Sequence, residues 1–193
     1  LSHIFDIVAG EREIDFIVNL EDTEEEVWFS PSKLERILYN LLSNAFKYTQ
    51  PGGYVKLSAK LIKEEKETFV QISVKDNGRG IPKEAQEQIF ESYYQVEKRD
   101  HREGFGLGLS LTRSLIHMHK GEIRVESEIN KGSDFIVTLN VSEDAYNPDE
   151  RSSENITTEE IQKYNQRIKE TIELIPEKLT NKEKDPARES IMI

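Results

Sequence analysis

Residues Leu34 to Tyr48 read LERILYNLLSNAFKY. Apolar side chains at Leu34, Ile37, Leu38, Leu41, Leu42 and Ala45 recur at helical spacing and make one face that must be buried. Asn40, Asn44 and Lys47 follow one another at steps of four and three residues, so they line a second stripe of the same helix. Asparagine is a poor helix former, because its side chain competes for backbone hydrogen bonds. Two asparagines at nearly one angular position read either as a solvated face or as carboxamide oxygens with something to hold. Ser30-Pro31 open the helix, serine as N-cap and proline in the first turn, and Pro51-Gly52-Gly53 close the segment.

Outward from this helix, the first ten residues read as the end of a helix capped at Gly10. IDFIVNL (14 to 20) and VWF (27 to 29) read as strands. YVKLSAKLI and TFVQISVKD, joined by KEEKE, form a hairpin. After Asp76 come NGRGIP, a short helix from Lys83 to Phe90, and a polar stretch ending in GFGLGLS. A helix from Leu107 to Lys120 stops at Gly121, and GEIRVESEI and SDFIVTLNV make a closing hairpin about Asn130-Lys131-Gly132. This order predicts an α+β, two-layer sandwich: a mixed, mostly antiparallel sheet with helices on one face.

A chain of 193 residues with net charge -11 is large enough for one good core and an appendage, and too acidic for a general nucleic-acid partner. It has no cysteine, hence no disulfide framework and no thiolate chemistry. No apolar run approaches the roughly 18 residues a membrane span needs, and no signal peptide is visible. The chain opens on Leu1, without methionine, and is read as a piece of something longer.

Two glycine-rich stretches follow strand and helix signals. Asp76-Asn77-Gly78-Arg79-Gly80 lies directly after a strand; its glycines let a ligand approach the main chain, and Asp76 can accept from an exocyclic amine. Alone, the same residues also read as an ordinary Asn-Gly turn. Gly104 to Ser110, GFGLGLS, aims backbone N–H groups at one spot ahead of a helix, a generic anion cradle. It lacks the Lys-Ser/Thr pair of a P-loop, and no short strand leads into it as a dinucleotide fingerprint requires.

Taken together and in order, these stretches resemble the ATP-binding domain of sensor histidine kinases in the GHKL superfamily. NLLSNAFKYT is similar to that family's N box, DNGRGIP to its first glycine box, IFESYYQ to its F box and GFGLGLS to its second glycine box. NKGSDF resembles the loop before the last strand, and the resemblance covers residues 1 to 141. It implies the Bergerat-type ATP-binding fold and a set of roles. Asn40 and Asn44 would hold Mg²⁺, Lys47 would reach the phosphates, and Tyr48 would pack near the nucleotide. Asp76 would accept from the adenine amine, with Gly78, Gly80 and Ile81 as the pocket's wall. Gly104, Gly106, Leu107, Gly108 and Leu109 would shape the phosphate side, and residues 93 to 106 would form a mobile ATP lid. Where the family's FERFYR pattern has basic residues, this chain has Ser92 and Gln95; Lys98, Arg99 and Arg102 follow as other sources of positive charge.

In the hydrolysing relatives a helix glutamate activates water; here Asn40 holds that place, and an amide cannot take the proton. The expected activity is therefore transfer of the ATP γ-phosphate to a histidine on a separate dimerisation helix domain. None of His3, His101, His117 or His119 is followed by an acidic residue, as the family's acceptor is, so the acceptor is expected elsewhere in the parent protein. A non-catalytic nucleotide-binding scaffold and a GHKL ATPase are the alternatives. From 142 the composition turns acidic and polar, then Thr157 and Glu160 start a helix with an apolar stripe at Ile161, Tyr164, Ile168, Ile172 and Ile175, ended by Pro176. The closing ESIMI resembles the first strand of a response-regulator receiver domain, implying a C-terminally fused receiver. The parent is expected to be a membrane-anchored sensor, with this portion cytoplasmic and, without its dimerisation helices, monomeric.

Overall fold

The computed structural model describes residues 2–25, 27–94 and 108–146. Three helices, α1 (Ser2–Arg12), α2 (Pro31–Tyr48) and α3 (Gly108–Met118), accompany five strands. The strands are β1 (Asp15–Leu20), β2 (Tyr54–Lys63), β3 (Thr68–Asp76), β4 (Glu122–Glu128) and β5 (Gly132–Asn140). They form one sheet in the order β1-β2-β3-β5-β4, parallel between β1 and β2 and antiparallel elsewhere. This is the expected mixed, mostly antiparallel α+β arrangement.

Register makes the layers. One rung runs Val18, Leu57, Val74, Phe135 and Val125, and the next runs Leu20, Ala59, Ile72, Val137 and Ile123. Side chains on one rung point to the same face, so alternate residues of every strand supply one apolar surface. The helices cover its centre, leaving Val18 and Leu20 of β1 exposed: Phe46 of α2 packs edge-on to Phe16 of β1 at 5.4 Å between ring centroids and stacks on Phe5 of α1 at the same separation. Ile37, Leu41 and Leu42 of α2 and Ile116 of α3 are buried beneath this layer. The apolar face read from spacing in α2 is thus the centre of the core. Arg12, in the last turn of α1, donates to the Phe46 carbonyl at 2.8 Å and pins the first two helices together.

Several boundaries differ from the expectation, each for a local reason. Residues 27–29 are not a strand: Trp28 donates one backbone bond to Val141 (2.9 Å), and Pro31 then commits the chain to α2. Ser30 is the N-cap of α2, yet its hydroxyl meets Ser32 instead of capping a backbone N–H. Gly10 does not end α1; the helix runs to Arg12, and Glu13 takes the left-handed position at φ 55°. Lys83 to Phe90 is two separate 3-10 turns, anchored by buried Ala85, Ile89 and Phe90. Too few residues are available there to repay helix nucleation. The last helix, described from Gly108 onward, ends at Met118 and not at Lys120, which is left-handed at φ 48°. Leu107, the lid residues from 95 onward, the helix expected at 157–175 and the closing ESIMI lie outside the described residues.

Candidate nucleotide-binding site

The rung at the end of β3 is unlike the others. It runs Phe16, Val55, Asp76, Ser133 and Ser127, so Asp76 faces the helix layer from the same side as the core. Asp76 as a whole is 5% exposed, and its Oδ1 accepts the Gly78 N–H at 2.8 Å. Burial pushes the Asp76 carboxyl above the ordinary carboxylate value; the Gly78 and Ser133 backbone N–H groups pull it down, and nearby Asp134 adds a smaller upward push. A buried anion of this kind is stabilised by any donor that reaches it, and an exocyclic amine is such a donor.

The loop after Asp76 is held from several sides. Asn77 accepts the Tyr54 N–H on its side-chain oxygen at 2.7 Å, fixing the loop to the start of β2. Arg79 N–H reaches the Tyr48 carbonyl at the end of α2 (3.4 Å), while the Arg79 carbonyl accepts from Asn130 N–H in the β4–β5 turn (2.8 Å). Ile81 N–H donates to the Ser127 hydroxyl at 2.8 Å, and the Gln86 amide bridges the Ile81 and Ser127 carbonyls. There is no room for side chains beneath it. A Cβ on Gly78 would lie 2.4 Å from the Tyr48 carbonyl oxygen, and one on Gly80, whose φ is +70°, would lie 2.0 Å from the Glu128 carbonyl oxygen.

The other half of the site lies where α2 passes α3. Asn40 donates through Nδ2 to the Thr112 hydroxyl (3.1 Å) and toward the Gly108 carbonyl (3.4 Å). Thr112 is wholly buried and donates in turn to the Gly108 carbonyl at 2.9 Å. Its amide nitrogen engaged with α3, Asn40 keeps its oxygen as an acceptor, one helical turn before half-buried Asn44. Lys47 is exposed at the end of this stripe, its Nζ 5.0 Å from the Tyr48 ring centroid. From Asn40 to Tyr48 is about 12 Å at the helical rise of ~1.5 Å per residue, which separates the two halves along one rigid element.

Of the candidate residues, Asn40 and Gly108 are thus in one group, joined through Thr112, and Tyr48, Asp76, Gly78, Gly80 and Ile81 in another. Leu109 opens α3 beside Gly108. Gly104, Gly106 and Leu107 are outside the described residues. Among the described residues no group of His, Asp and Glu could hold a metal ion, so a hard cation here would use the amide oxygens of Asn40 and Asn44 together with oxygens brought by the ligand. The donor set fits that use. Sequence reading passed over Thr112, Ser127, Gln86 and Asn130, whose roles depend on partners far along the chain.

His119, just past α3, is buried with its Nε2 unpartnered and Nδ1 3.4 Å from the Tyr146 hydroxyl. Burial holds its pKa below 6.5, and the Lys33 charge adds to this. The folded state therefore keeps His119 neutral where the unfolded chain takes up a proton. Stability is present above the ordinary histidine value and falls as pH drops through it. Melting temperature is expected to fall between about pH 7.5 and about pH 5.5, and His119→Gln should flatten that slope. Parallel slopes for the two proteins would place the acid sensitivity elsewhere.

Comparison with known proteins agrees with this geometry. The family described as histidine kinase-, DNA gyrase B-, and HSP90-like ATPase matches residues 29–143. The adaptive-response sensory kinase SasA of Synechococcus sp. (strain JA-2-3B'a(2-13)) is 37% identical over 141 residues, 73% of this chain and 36% of the relative. Sensor histidine kinase WalK of Bacillus subtilis (strain 168) is 38% identical over 139 residues, 71% of this chain and 22% of WalK. This chain thus spans little more than a third of the first relative and less than a quarter of the second. Among solved structures, the nucleotide-free catalytic domain of histidine kinase ThkA aligns with TM-score 0.61 and 28% identity, over 72% of this chain and 86% of that one. Full-length ShkA in complex with AMPPNP aligns with TM-score 0.63 and 26% identity, over 73% of this chain and 28% of that one. A buried strand-end carboxylate, a glycine loop with no room for side chains and an asparagine of α2 bonded to Gly108 and Thr112 of α3 converge with these matches: the chain belongs to the family of histidine kinase-, DNA gyrase B- and HSP90-like ATPases, as an ATP-binding domain of the sensor histidine kinase kind.

Proposed function

We propose that this domain binds Mg-ATP and delivers its γ-phosphate to a histidine on a dimerisation helix domain of the same protein. The observation that carries the reading is Asp76, a carboxylate buried at a strand end and tied to the Gly78 N–H, beside a loop that no larger side chain fits. Asp76 accepts the adenine amine, and Gly78, Gly80 and Ile81 form the wall beside the base. Asn40 and Asn44 hold the cation, and Lys47, Gly108 and Leu109 meet the phosphates, with Gly104, Gly106 and Leu107 completing that side. Mg²⁺, when bound, supplies neutralisation of the phosphate charge. Asn40 cannot act as a general base, so the domain positions a phosphoryl donor and does not activate water itself. Residues 1–141 act as the catalytic domain and residues 142–193 as a linker toward a receiver domain, in the cytoplasmic part of a membrane-anchored sensor.

Two measurements test this. Calorimetric titration with a non-hydrolysable ATP analogue is expected to show binding that strengthens with Mg²⁺. With the dimerisation helices restored, ATP labelled on the γ-phosphate is expected to label a histidine, and Asn40→Ala to slow labelling roughly tenfold, the worth of one well-placed ligand oxygen. Robust phosphate release by the isolated domain would instead favour an ATPase. Tight ATP binding with no labelled histidine would favour a scaffold.

A further inference from the structure

Arg79 stands between the two glycines of the adenine-side loop, and nothing above assigns its side chain a role. Its backbone is locked on both sides: the N–H reaches the Tyr48 carbonyl at 3.4 Å and the carbonyl accepts from Asn130 N–H at 2.8 Å. The flanking glycines leave no slack, since Gly78 lies against the Tyr48 carbonyl and Gly80 against that of Glu128. With the main chain so fixed, the guanidinium carbon lies over the Tyr48 ring, 4.3 Å from its centroid, and the Lys47 ammonium lies 5.0 Å from the same centroid. A planar guanidinium stacks on an aromatic face as a compact ammonium does not. The side chain therefore bridges the end of α2 and the loop after β3, alongside the long backbone bond from the Arg79 N–H to the Tyr48 carbonyl.

We infer that Arg79 is a positioning residue of the nucleotide pocket: its guanidinium holds the Tyr48 ring against the Asp76–Gly80 loop and so sets nucleotide affinity. The inference rests on the Mg-ATP reading above. The Tyr48 carbonyl already meets this loop at Gly78 and Arg79, and a tyrosine ring free to rotate would leave that wall unfinished. Arg79 also places a second cation beside Lys47, where a ligand carrying several negative charges must enter a protein of net charge -11.

The test is a double-mutant cycle read by calorimetric titration with the Mg²⁺ complex of a non-hydrolysable ATP analogue, alongside melting of the ligand-free proteins. Arg79→Ala is expected to raise Kd about 3- to 10-fold, with Arg79→Lys in between. In a Tyr48→Leu background, Arg79→Ala should change Kd less than about twofold, because the ring it holds is gone. Ligand-free melting of Arg79→Ala should stay within about 2 °C of wild type. An unchanged Kd for Arg79→Ala, or effects of the two substitutions that simply add, would overturn the inference while leaving the Mg-ATP reading intact. A weakened Kd accompanied by an equal loss of ligand-free stability would also overturn it, showing a structural role alone. Wild-type protein that binds no nucleotide would overturn both.

Discussion

Asp76→Asn is expected to abolish ATP binding while leaving the ligand-free domain at least as stable as wild type at neutral pH. The two halves of this outcome share one cause. Asp76 is buried and its carboxyl is pushed up by that burial, so the ionised form is a cost in the empty pocket. Because the folded-state pKa is raised, the contribution of this group to stability is present below its ordinary value of 3.8 and is lost as pH rises through the folded value. Asparagine removes that cost and keeps an oxygen able to accept the Gly78 N–H. It also turns a donor toward the place where an amine must donate. The lost charge-assisted bond and the opposed donors together are worth about 3 kcal/mol, or a Kd at least ~100-fold higher. Calorimetry and thermal melting on the same samples check both halves. A variant that binds normally would remove Asp76 from the pocket, and one that loses binding and melts much earlier would make it a structural residue.

Gly80→Ala is expected to unfold the loop after β3 outright. At φ +70° an alanine is strained, and its Cβ would lie 2.0 Å from the Glu128 carbonyl oxygen, a backbone atom that cannot rotate away. Either the β4–β5 turn shifts or the loop after β3 does, and each loses a tether: the Arg79 carbonyl to Asn130, or Ile81 to Ser127. We expect a loss of about 3–4 kcal/mol, seen as a melting temperature lower by roughly 10 °C, with nucleotide binding lost in parallel. Gly10→Ala is the matched control. Gly10 lies inside α1 with nothing within 4 Å of an added Cβ, so alanine there should stabilise by about 0.5–1 kcal/mol. Equal melting temperatures for the two variants would mean that the loop yields where its packing says it cannot.

The elements that were legible in the chain are those whose signal is local. In α2 the apolar stripe and Ser-Pro start declared both the helix and its buried face, and the strand pair around KEEKE declared itself by alternation. VWF carried strand-forming residues yet runs past the sheet with the Trp28 N–H on the Val141 carbonyl, because three residues before a proline cannot build a ladder. The segment 83–90 showed helix-like apolar spacing, but Gln86 turns back to Ile81 and Ser127 and the coil breaks into two short turns. The site divides in the same way. Its glycines and asparagines were visible as motifs. Thr112, which takes up the Asn40 amide, and Ser127, which holds Ile81, are 72 and 46 residues from their partners and carry no local mark.

That spacing also bears on how the chain reaches its folded state. The loop after β3 is clasped by Tyr48 and Tyr54 from one side and by Ser127, Asn130 and the backbone approach at Gly132 from the other. The first set is close in sequence, whereas the second closes a loop of some fifty residues, with the entropic delay such closures carry. α1, α2 and β1 through β3 can therefore find one another while the loop after β3 is still an open turn. Only docking of the final hairpin completes that clasp, so on the proposed assignment nucleotide binding waits for arrival of the last strand.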